Sequence, residues 1–439
     1  MYPQFETDSE NTQLYMARFS SVKKLHDIEC TQIVKFANKL NLKSLFPSNL
    51  ERQNVKLVLN VFNEMTVQGL LALGEHHHIE SFESTAKFIK LICTWWNIVN
   101  VSSPGKDIRF KDAMLKPLSS TSNENIRYLE RFLSWLDKWK HISDSTFGLS
   151  SDTHLAISHT THALLEQTKY CTEELNFKYL LPGKVQTDAL EARFGKYRTM
   201  AGSQYLVSLR QVFEIESKLR IQTLLSLKIS SSALGEVGID LDSFESDCVD
   251  DITLPPPSNF QSIMDFSEEQ VQSVQEYVPV FTYLSGYCAR AVLKKLRCET
   301  CKIYLVLDKT LSIIESYESY GLLRNVDRGG LYCPNNEVIN AVIFTYLIVK
   351  NLMSEEHELS FMRCTSQRNL VVRLAVDVIK REDFFLREFS CSQVDHTDDK
   401  ILQSVVKVAC NIFLNNYVKR INDGHIVSKM KKRKLSTVK

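Results

Sequence analysis

Apolar residues recur every three or four positions along much of this chain, which is the spacing of one face of an α-helix. The pattern is clear over residues 55–71, 88–96 and 126–139, and it continues over 155–175 and 187–227. Glycine and proline, with 14 and 10 of 439 residues, are too scarce for a chain built from strands and tight turns. The sequence therefore predicts a mainly α-helical protein.

A change of composition follows these helices. Residues 236–251 contain seven acidic residues and no lysine or arginine, and three prolines follow at 255–257. Such a segment is typical of a solvated, semi-extended linker between folded units. The predicted organisation is helical domains over 1–148, 149–232 and 263–428, a linker over 233–262, and a basic tail over 429–439.

The formal charges almost cancel, with 53 basic and 52 acidic residues and a net charge of +1. This balance excludes a uniformly basic nucleic-acid coat protein, but it hides an uneven distribution. Residues 429–439 carry six positive charges and no negative one, including the run Lys431, Lys432, Arg433 and Lys434. This run is typical of a nuclear localisation signal or of an arm that contacts DNA phosphates, although a solvated chain end has the same composition. We expect a nuclear protein.

The longest apolar stretch and the cysteines both indicate an intracellular protein. Residues 338–349 are too few to span a bilayer, so we expect no membrane partner. Eleven cysteines at irregular spacing are interpreted as reduced thiols.

One pair of these cysteines has the spacing of a metal site. Cys298 and Cys301 form a Cys-x-x-Cys pair, which supplies half of the four ligands that zinc requires. Two alternatives for the other half stay open, namely Cys391 with His396, or Cys333 with Cys364. A pair of plain reduced thiols without metal is the third interpretation.

The segment 181–220 contains the strongest candidate for chemistry. Asp188 and Glu191 are three residues apart in a helix-favouring run, so both carboxylates project from one face. Paired carboxylates suit Mg²⁺, which prefers oxygen ligands and substrate phosphates. Basic residues around them could hold a nucleic-acid backbone, and these are Lys184, Arg193, Lys196 and Arg198. Alternatively, the two acids complement the dipole at a helix start and face solvent.

The same segment carries a motif of fixed spacing. It reads Gln-x-Asp-x-Leu-Glu-x-x-Phe-Gly-x-x-Arg and is followed by a glycine turn and a Ser-x-x-Gln helix. Its positions are Gln186, Asp188, Leu190, Glu191, Phe194, Gly195, Arg198, Gly202, Ser208 and Gln211. The motif closely resembles the P-element type of DNA transposase, a family that includes transposase-like proteins with a THAP zinc finger. Similar segments at 17–29, 54–74, 95–114 and 132–139 extend the resemblance over about 1–230, and it is looser over 280–350.

The resemblance implies an RNase H-like catalytic domain that is split by a helical GTP-binding insertion. In the family, the last helix of that domain supplies a glutamate, which corresponds to Glu191, and two aspartates on earlier strands complete a two-metal Mg²⁺ site. Residues 1–148 would be the insertion, residues 149–232 the helical C-terminal end of the catalytic domain, and a second helical domain would follow. We expect this chain to lack the zinc finger and both aspartates, and therefore to be inactive alone.

A GTP site would be the family's own helical kind, because no Gly-x-x-x-x-Gly-Lys-Ser/Thr loop is present. Aligned with the family, Asn97 and Asn100 are the candidate guanine contacts. Guanine needs an acceptor for its N1 and N2 hydrogens, and an asparagine both accepts and donates, so guanine selectivity stays open. Trp95 and Trp96 beside them could instead be core or partner-facing aromatics.

Two functions follow from these predictions. The first is a P-element-like DNA transposase, or a protein derived from one, in which cleavage and strand transfer of DNA use two metal ions in the full-length family. The second is a non-catalytic protein that binds DNA or assembles with a full-length transposase and regulates it. The expected cofactors are Mg²⁺ and GTP by resemblance, with zinc from the cysteine pair. The expected partners are DNA, GTP and another transposase chain or a second copy.

Overall fold

The structure, a computed structural model, describes most of the chain, and α-helices dominate it. The described residues are 1–5, 14–49, 51–119, 123–142, 148–202, 206–232, 258–310, 314, 317–364, 366–385, 389–391, 393 and 396–436. The strands among them form two short antiparallel pairs, β1 (Tyr2–Pro3) with β2 (Leu14–Tyr15) and β3 (Val306–Leu307) with β4 (Cys333–Pro334). The predicted mainly α-helical class is confirmed.

The helices fall into three stretches of the sequence. The first stretch holds α1 Phe19–Glu29, α2 Leu42–Leu45, α3 Val55–Val61, α4 Glu64–Leu73, α5 Phe82–Val99, α6 Lys106–Phe110, α7 Glu124–Ile142 and α8 Ser151–Lys169. The second holds α9 Asp188–Met200 and α10 Leu209–Ser232. The third holds α11 Glu268–Gln275, α12 Val278–Leu296, α13 Glu299–Leu305, α14 Gly321–Val326, α15 Asn336–Leu352, α16 Glu358–Met362, α17 Gln367–Glu382 and α18 Asp398–Ser436. Of the helices in the described ranges, none combines the length and apolar composition of a membrane-spanning segment.

The apolar pattern over residues 55–71 is divided between two helices. Helix α3 ends at Val61, and Asn63 adopts an extended backbone with φ −151° and ψ 162° before α4. The Asn63 side chain accepts a hydrogen bond from the Thr66 N–H at 3.1 Å. An asparagine in this position satisfies a backbone donor of the new helix, and it thereby fixes where the break occurs.

By internal packing the chain divides into two units. Unit 1 contains residues 1–180 together with 256–439, and unit 2 contains residues 181–255. The sequence assigns residues 1–148 and 263–428 to separate domains, whereas in the structure residues from both ranges pack within unit 1. The exact domain boundaries stay predictions.

Unit 1 is held together by one large apolar core to which both parts contribute. Leu25 and Phe36 come from the N-terminal part, and Phe281 and Phe413 come from the C-terminal part. Direct contacts join the two parts, since the rings of Phe36 and Tyr277 lie 5.8 Å apart. Burial of large apolar side chains is the main favourable term in folding, at roughly 2 kcal/mol for each. The two parts are therefore expected to fold together.

Polar contacts between the two parts of unit 1 supplement this core. Asn325 donates a hydrogen bond to the side-chain oxygen of Gln68 at 2.8 Å, and Arg420 donates one to the carbonyl oxygen of Thr31 at 2.6 Å. These bonds specify how the helices meet, because an apolar contact alone has little directionality.

A smaller aromatic cluster binds the N-terminus to α7. Tyr2, Phe132, Trp135 and Trp139 form it. The indole of Trp135 donates to the carbonyl oxygen of Pro3 at 2.8 Å, and that of Trp139 donates to the carbonyl of Met1 at 2.7 Å. Both buried indole N–H groups are thus satisfied, which makes a largely aromatic core compatible with burial.

Unit 2 contains α9 and α10, which are joined by an ion pair. The guanidinium of Arg193 binds both carboxylate oxygens of Glu216, with a distance of 2.8 Å from Nε to Oε1, and the Tyr197 hydroxyl donates to the same carboxylate. The hydrogen bonds from Arg193 hold the pKa of Glu216 below its ordinary value. A forked pair of this kind fixes orientation as well as distance.

Glu29, at the end of α1, is a buried carboxylate of unit 1 that is 2% exposed. Its two oxygens accept hydrogen bonds from the N–H groups of Phe36 at 2.6 Å and Ala37 at 3.1 Å. Burial raises the pKa of Glu29 to about 7, since the loss of solvation outweighs these two bonds.

We predict that Glu29 makes unit 1 less stable as the pH rises from about 4.5 to about 7. Over this window the unfolded chain has already released the proton that the folded chain retains, so deprotonation favours unfolding. The change is on the order of 3 kcal/mol. Glu29→Gln should remove this contribution to the pH slope of the unfolding free energy, measured by urea denaturation, while Glu83→Gln at an exposed site in α5 should not. An unaltered slope in Glu29→Gln would contradict the assignment.

We also predict that Arg193→Gln loosens α9 from α10, because it removes the forked contact with Glu216. Amide hydrogen exchange in α9 should become faster in this variant. Lys196→Gln is the matched control, since Lys196 is exposed on the same helix, and its exchange should resemble that of the natural chain. Equal exchange in the two variants would show that the ion pair does not hold α9 in place.

Candidate DNA-facing helix and candidate metal centre

Helix α9 carries the motif that the sequence singled out. Glu191 lies in its first turn with an exposed side chain, and its Oε1 accepts a hydrogen bond from the Thr187 hydroxyl at 3.3 Å. Asp188 begins the helix, but its side chain is outside the described residues. Among the side chains that the structure describes, two clusters have three or more potential metal ligands, and Glu191 belongs to neither of them. The catalytic roles of Glu191 and Asp188 therefore stay predictions.

The four basic residues predicted to contact phosphates differ in their surroundings. Lys184, Lys196 and Arg198 are exposed, the first in a short 3-10 turn before α9 and the other two on α9 itself. Arg193 is half-buried and is engaged with Glu216. Arg193 thus links α9 to α10. Of the four basic residues, the exposed ones are Lys184, Lys196 and Arg198.

Apolar side chains are also exposed on α9 and α10. Leu190 and Phe194, four residues apart on α9, are 60% and 55% exposed, and Leu209 and Phe213 on α10 are 75% and 66% exposed. Exposed apolar groups that lie close together are typical of a surface that meets another macromolecule.

The residues predicted to contact guanine lie at the end of α5. Asn97 is in the helix, and Asn100 follows its last residue and is half-buried. The carbonyl oxygen of Asn100 accepts a hydrogen bond from Lys106 Nζ at 3.4 Å. A cation is therefore near Asn100, but the assignment of Asn97 and Asn100 as guanine contacts stays a prediction, and guanine selectivity stays open.

Trp95 and Trp96 have packing roles in the structure. The Trp95 indole donates to the Thr161 hydroxyl at 2.9 Å, and its ring stacks on Phe132 at 5.8 Å. Trp96 packs against a cluster that includes Ile98. This agrees with the interpretation of both residues as core aromatics.

The structure brings Cys298 and Cys301 together with Cys391 and His396. Their ligand atoms all lie within 4.8 Å of one another. The sulfur of Cys391 is 3.7 Å from that of Cys298 and 3.8 Å from that of Cys301. The Nδ1 atom of His396 lies 3.4 Å from the sulfur of Cys301 and 3.7 Å from that of Cys391. Of the two completions left open by the sequence, this is the one that the fold assembles.

The other two cysteines considered for this site have different surroundings. Cys333 is buried in β4 within an apolar cluster that includes Tyr320. The thiol of Cys364 is directed to the carbonyl oxygen of Ser360 at 3.4 Å. Neither residue belongs to the cluster around Cys298.

The thiols of the cluster differ in acidity. A hydrogen bond from the backbone N–H of Cys301 is the main cause that lowers the pKa of Cys298 to about 6, whereas burial is the main cause that raises the pKa of Cys301 to about 12. Cysteine binds a metal or reacts in its thiolate form, which a lowered pKa favours.

A cluster of two histidines and a glutamate, which the sequence did not predict, lies between the end of α4 and the end of α11. His76 Nδ1 and His77 Nε2 are each 2.8 Å from the same carboxylate oxygen of Glu276. The sequence shows the adjacent histidines, but Glu276 is 199 positions further along the chain, so only the fold reveals their proximity.

The basic tail continues α18, which extends to Ser436. The side chains of Lys431, Lys432, Arg433 and Lys434 are outside the described residues. Their role as a nuclear signal stays a prediction.

Comparison with known proteins finds a family match for the C-terminal part of the chain. Residues 265–423 match the family model described as "DNA transposase THAP9, C-terminal domain". Among solved structures, the chain is similar to the "Drosophila P element transposase strand transfer complex", with 21% identity and a TM-score of 0.37. This similarity covers 44% of the present chain and 43% of the other, so less than half of the Drosophila chain is represented. The comparison with curated proteins finds no match.

The family match covers α11 to α17 and most of α18, and it therefore includes all four residues of the cysteine–histidine cluster. Residues 265–423 thus resemble the C-terminal domain of the DNA transposase THAP9.

Proposed function

We propose that this transposase-related chain binds DNA through α9 and the turn before it. The observation that carries this proposal is the exposure of Lys184, Lys196 and Arg198 around Glu191 in unit 2. Cations on an exposed surface neutralise phosphates and release counterions, which supplies most of the affinity of sequence-independent DNA binding. The near-zero net charge does not oppose this function, because local charge determines the contact.

In DNA cleavage and strand transfer, Glu191 would be one carboxylate of a Mg²⁺ site. A two-metal mechanism needs further carboxylates that bridge both ions and hold the attacking and leaving oxygens in line. We propose that the aspartates come from elsewhere in the assembly, and that this chain alone binds DNA without cutting it.

A second candidate function is assembly with another transposase chain, which could supply those aspartates. The exposed side chains of Leu190 and Phe194 favour it, because apolar groups next to a catalytic carboxylate are suited to packing against the fold that it completes. In this case the chain would regulate, or contribute to, the activity of a full-length relative.

We predict that Lys184→Gln combined with Lys196→Gln weakens binding to duplex DNA of mixed sequence. Each lost phosphate contact should reduce the slope of log affinity against log salt by about 0.9, so the double variant should lose about 2. Fluorescence anisotropy over a salt series measures both quantities. The control pair is Lys39→Gln with Lys90→Gln, at exposed positions in unit 1, which removes the same charge and should leave the slope nearly unchanged.

Equal loss in the two double variants would show that overall charge, and not α9, determines binding. No measurable DNA binding by the natural chain at low salt would contradict the proposed function itself.

We propose a nuclear location, to which the run from Lys431 to Lys434 would direct the protein. Replacement of all four basic residues by alanine should move a fluorescently tagged chain from the nucleus to the cytoplasm. The Lys39→Gln, Lys90→Gln variant should stay nuclear. Nuclear accumulation of the alanine variant would rule out this signal.

A further inference from the structure

We propose that Cys298, Cys301, Cys391 and His396 bind one zinc ion in a closed, structural site. Three thiolates and an imidazole are a common ligand set of structural zinc, and all four ligands come from the chain itself. This inference is independent of the DNA-binding proposal, because it rests on the C-terminal domain alone.

Four of the six distances between the ligand atoms fit a tetrahedron around zinc, and the other two are below 4.8 Å. With Zn–S near 2.3 Å and Zn–N near 2.05 Å, ideal tetrahedral geometry places two sulfurs about 3.8 Å apart and a sulfur and a nitrogen about 3.6 Å apart. The two sulfur–sulfur distances that involve Cys391 are 3.7 and 3.8 Å. The two sulfur–nitrogen distances that involve His396 are 3.4 and 3.7 Å. All four agree with the ideal edges to within about 0.2 Å.

These distances distinguish zinc from a disulfide. A disulfide requires sulfurs about 2.05 Å apart, and a third thiol beside it has no role in such a bond. Unrelated reduced thiols would have no reason to meet an imidazole nitrogen at tetrahedral distances. The binding of a single ion accounts for all four groups together.

The local structure positions the first two ligands. Cys298 is the N-cap residue of α13, and Arg297 before it has a left-handed backbone with φ 49° that ends α12. Cys301 lies in the first turn of α13, which directs its sulfur back towards Cys298. Cys301 is fully buried and Cys298 is half-buried, so one side of the site is closed by protein.

The other two ligands come from the segment between α17 and α18. Phe389, two residues before Cys391, packs its ring against Tyr304 of α13 at 5.0 Å, which brings this segment to the first pair. His396 lies two residues before the start of α18 at Asp398. The site would therefore join the α12–α13 turn to the beginning of the last helix.

This position explains what the ion would do. Cys298 and Cys391 are 93 residues apart in the chain, so the ion would join two segments that are distant in the sequence. Helix α18 packs on α12, α15 and α17, so an anchor at its start would set its direction across the C-terminal domain. Because structural zinc binds only the folded site, its binding free energy adds to folding.

Metal analysis of the purified full-length chain tests the proposal. We expect about one zinc per chain and less than about 0.1 iron. Cys298→Ser and His396→Ala should each lose most of the zinc, whereas Cys364→Ser, which removes a half-buried thiol outside the cluster, should retain it. Replacement of zinc by Co²⁺ should give the sulfur-to-metal charge-transfer and tetrahedral d–d absorption bands of a cobalt–thiolate site.

A variant that rebuilds the site separates metal binding from a failure to fold. His396→Cys substitutes one zinc ligand for another and should retain about one zinc, unlike His396→Ala. The proposal is overturned if the natural chain binds no zinc after reconstitution under reducing conditions. It is also overturned if Cys364→Ser loses as much zinc as Cys298→Ser, or if iron occupies the site in place of zinc.

Discussion

The apolar core shared by the two parts of unit 1 is the constraint on which the other features depend. Residues 22–89 and residues 260–417 are far apart in the sequence, yet buried side chains from both ranges belong to one continuous cluster. Phe281 and Tyr346 pack at 5.0 Å within it, and Phe36 reaches it from the N-terminal part. Each part buries apolar surface against the other. The sequence of unit 2 can therefore be inserted between the two parts without dividing the core.

This arrangement separates stability from the proposed chemistry. Unit 1 contains the shared core, the aromatic cluster at the N-terminus and the proposed zinc site. Unit 2 contains α9, with exposed cations and exposed apolar groups around Glu191. Surfaces that bind DNA or another chain need such exposure, and a separate stable unit allows it. The proposed zinc site would stabilise unit 1 alone, since its ligands and α18 all belong to that unit.

Local sequence patterns predicted the helices and two of the four proposed zinc ligands, but not the long-range contacts. The three- and four-residue spacing identified the helical class, and the apolar run 338–349 forms the buried helix α15. The break between α3 and α4 was missed, because the capping asparagine Asn63 interrupts an apolar pattern that continues on both sides. Cys298 and Cys301 were recognised by spacing, whereas Cys391 and His396 could be selected only once the fold placed them.

Side-chain pairing between helices is equally invisible in a single sequence. Arg193 has the same local context as Lys196, and both were predicted to contact phosphates. The structure distinguishes them, because Glu216 on α10 lies within reach of Arg193. Likewise, the composition of the linker suggested that residues 1–148 and 263–428 belong to separate domains. Residues from both ranges pack in unit 1, because packing depends on shape complementarity and not on local composition.

Simultaneous measurement of unfolding at both ends of the chain tests the shared core most directly. All four tryptophans, Trp95, Trp96, Trp135 and Trp139, lie in the N-terminal part, and the proposed zinc ligands lie in the C-terminal part. Urea unfolding followed by tryptophan fluorescence and by zinc release to a chromogenic chelator should give coincident transitions. The reason is that α5 contributes Ile89 to the shared core and Leu91 to the aromatic cluster that contains Trp135 and Trp139. Zinc release at a clearly different urea concentration from the fluorescence change would contradict the account and show that the two parts fold separately.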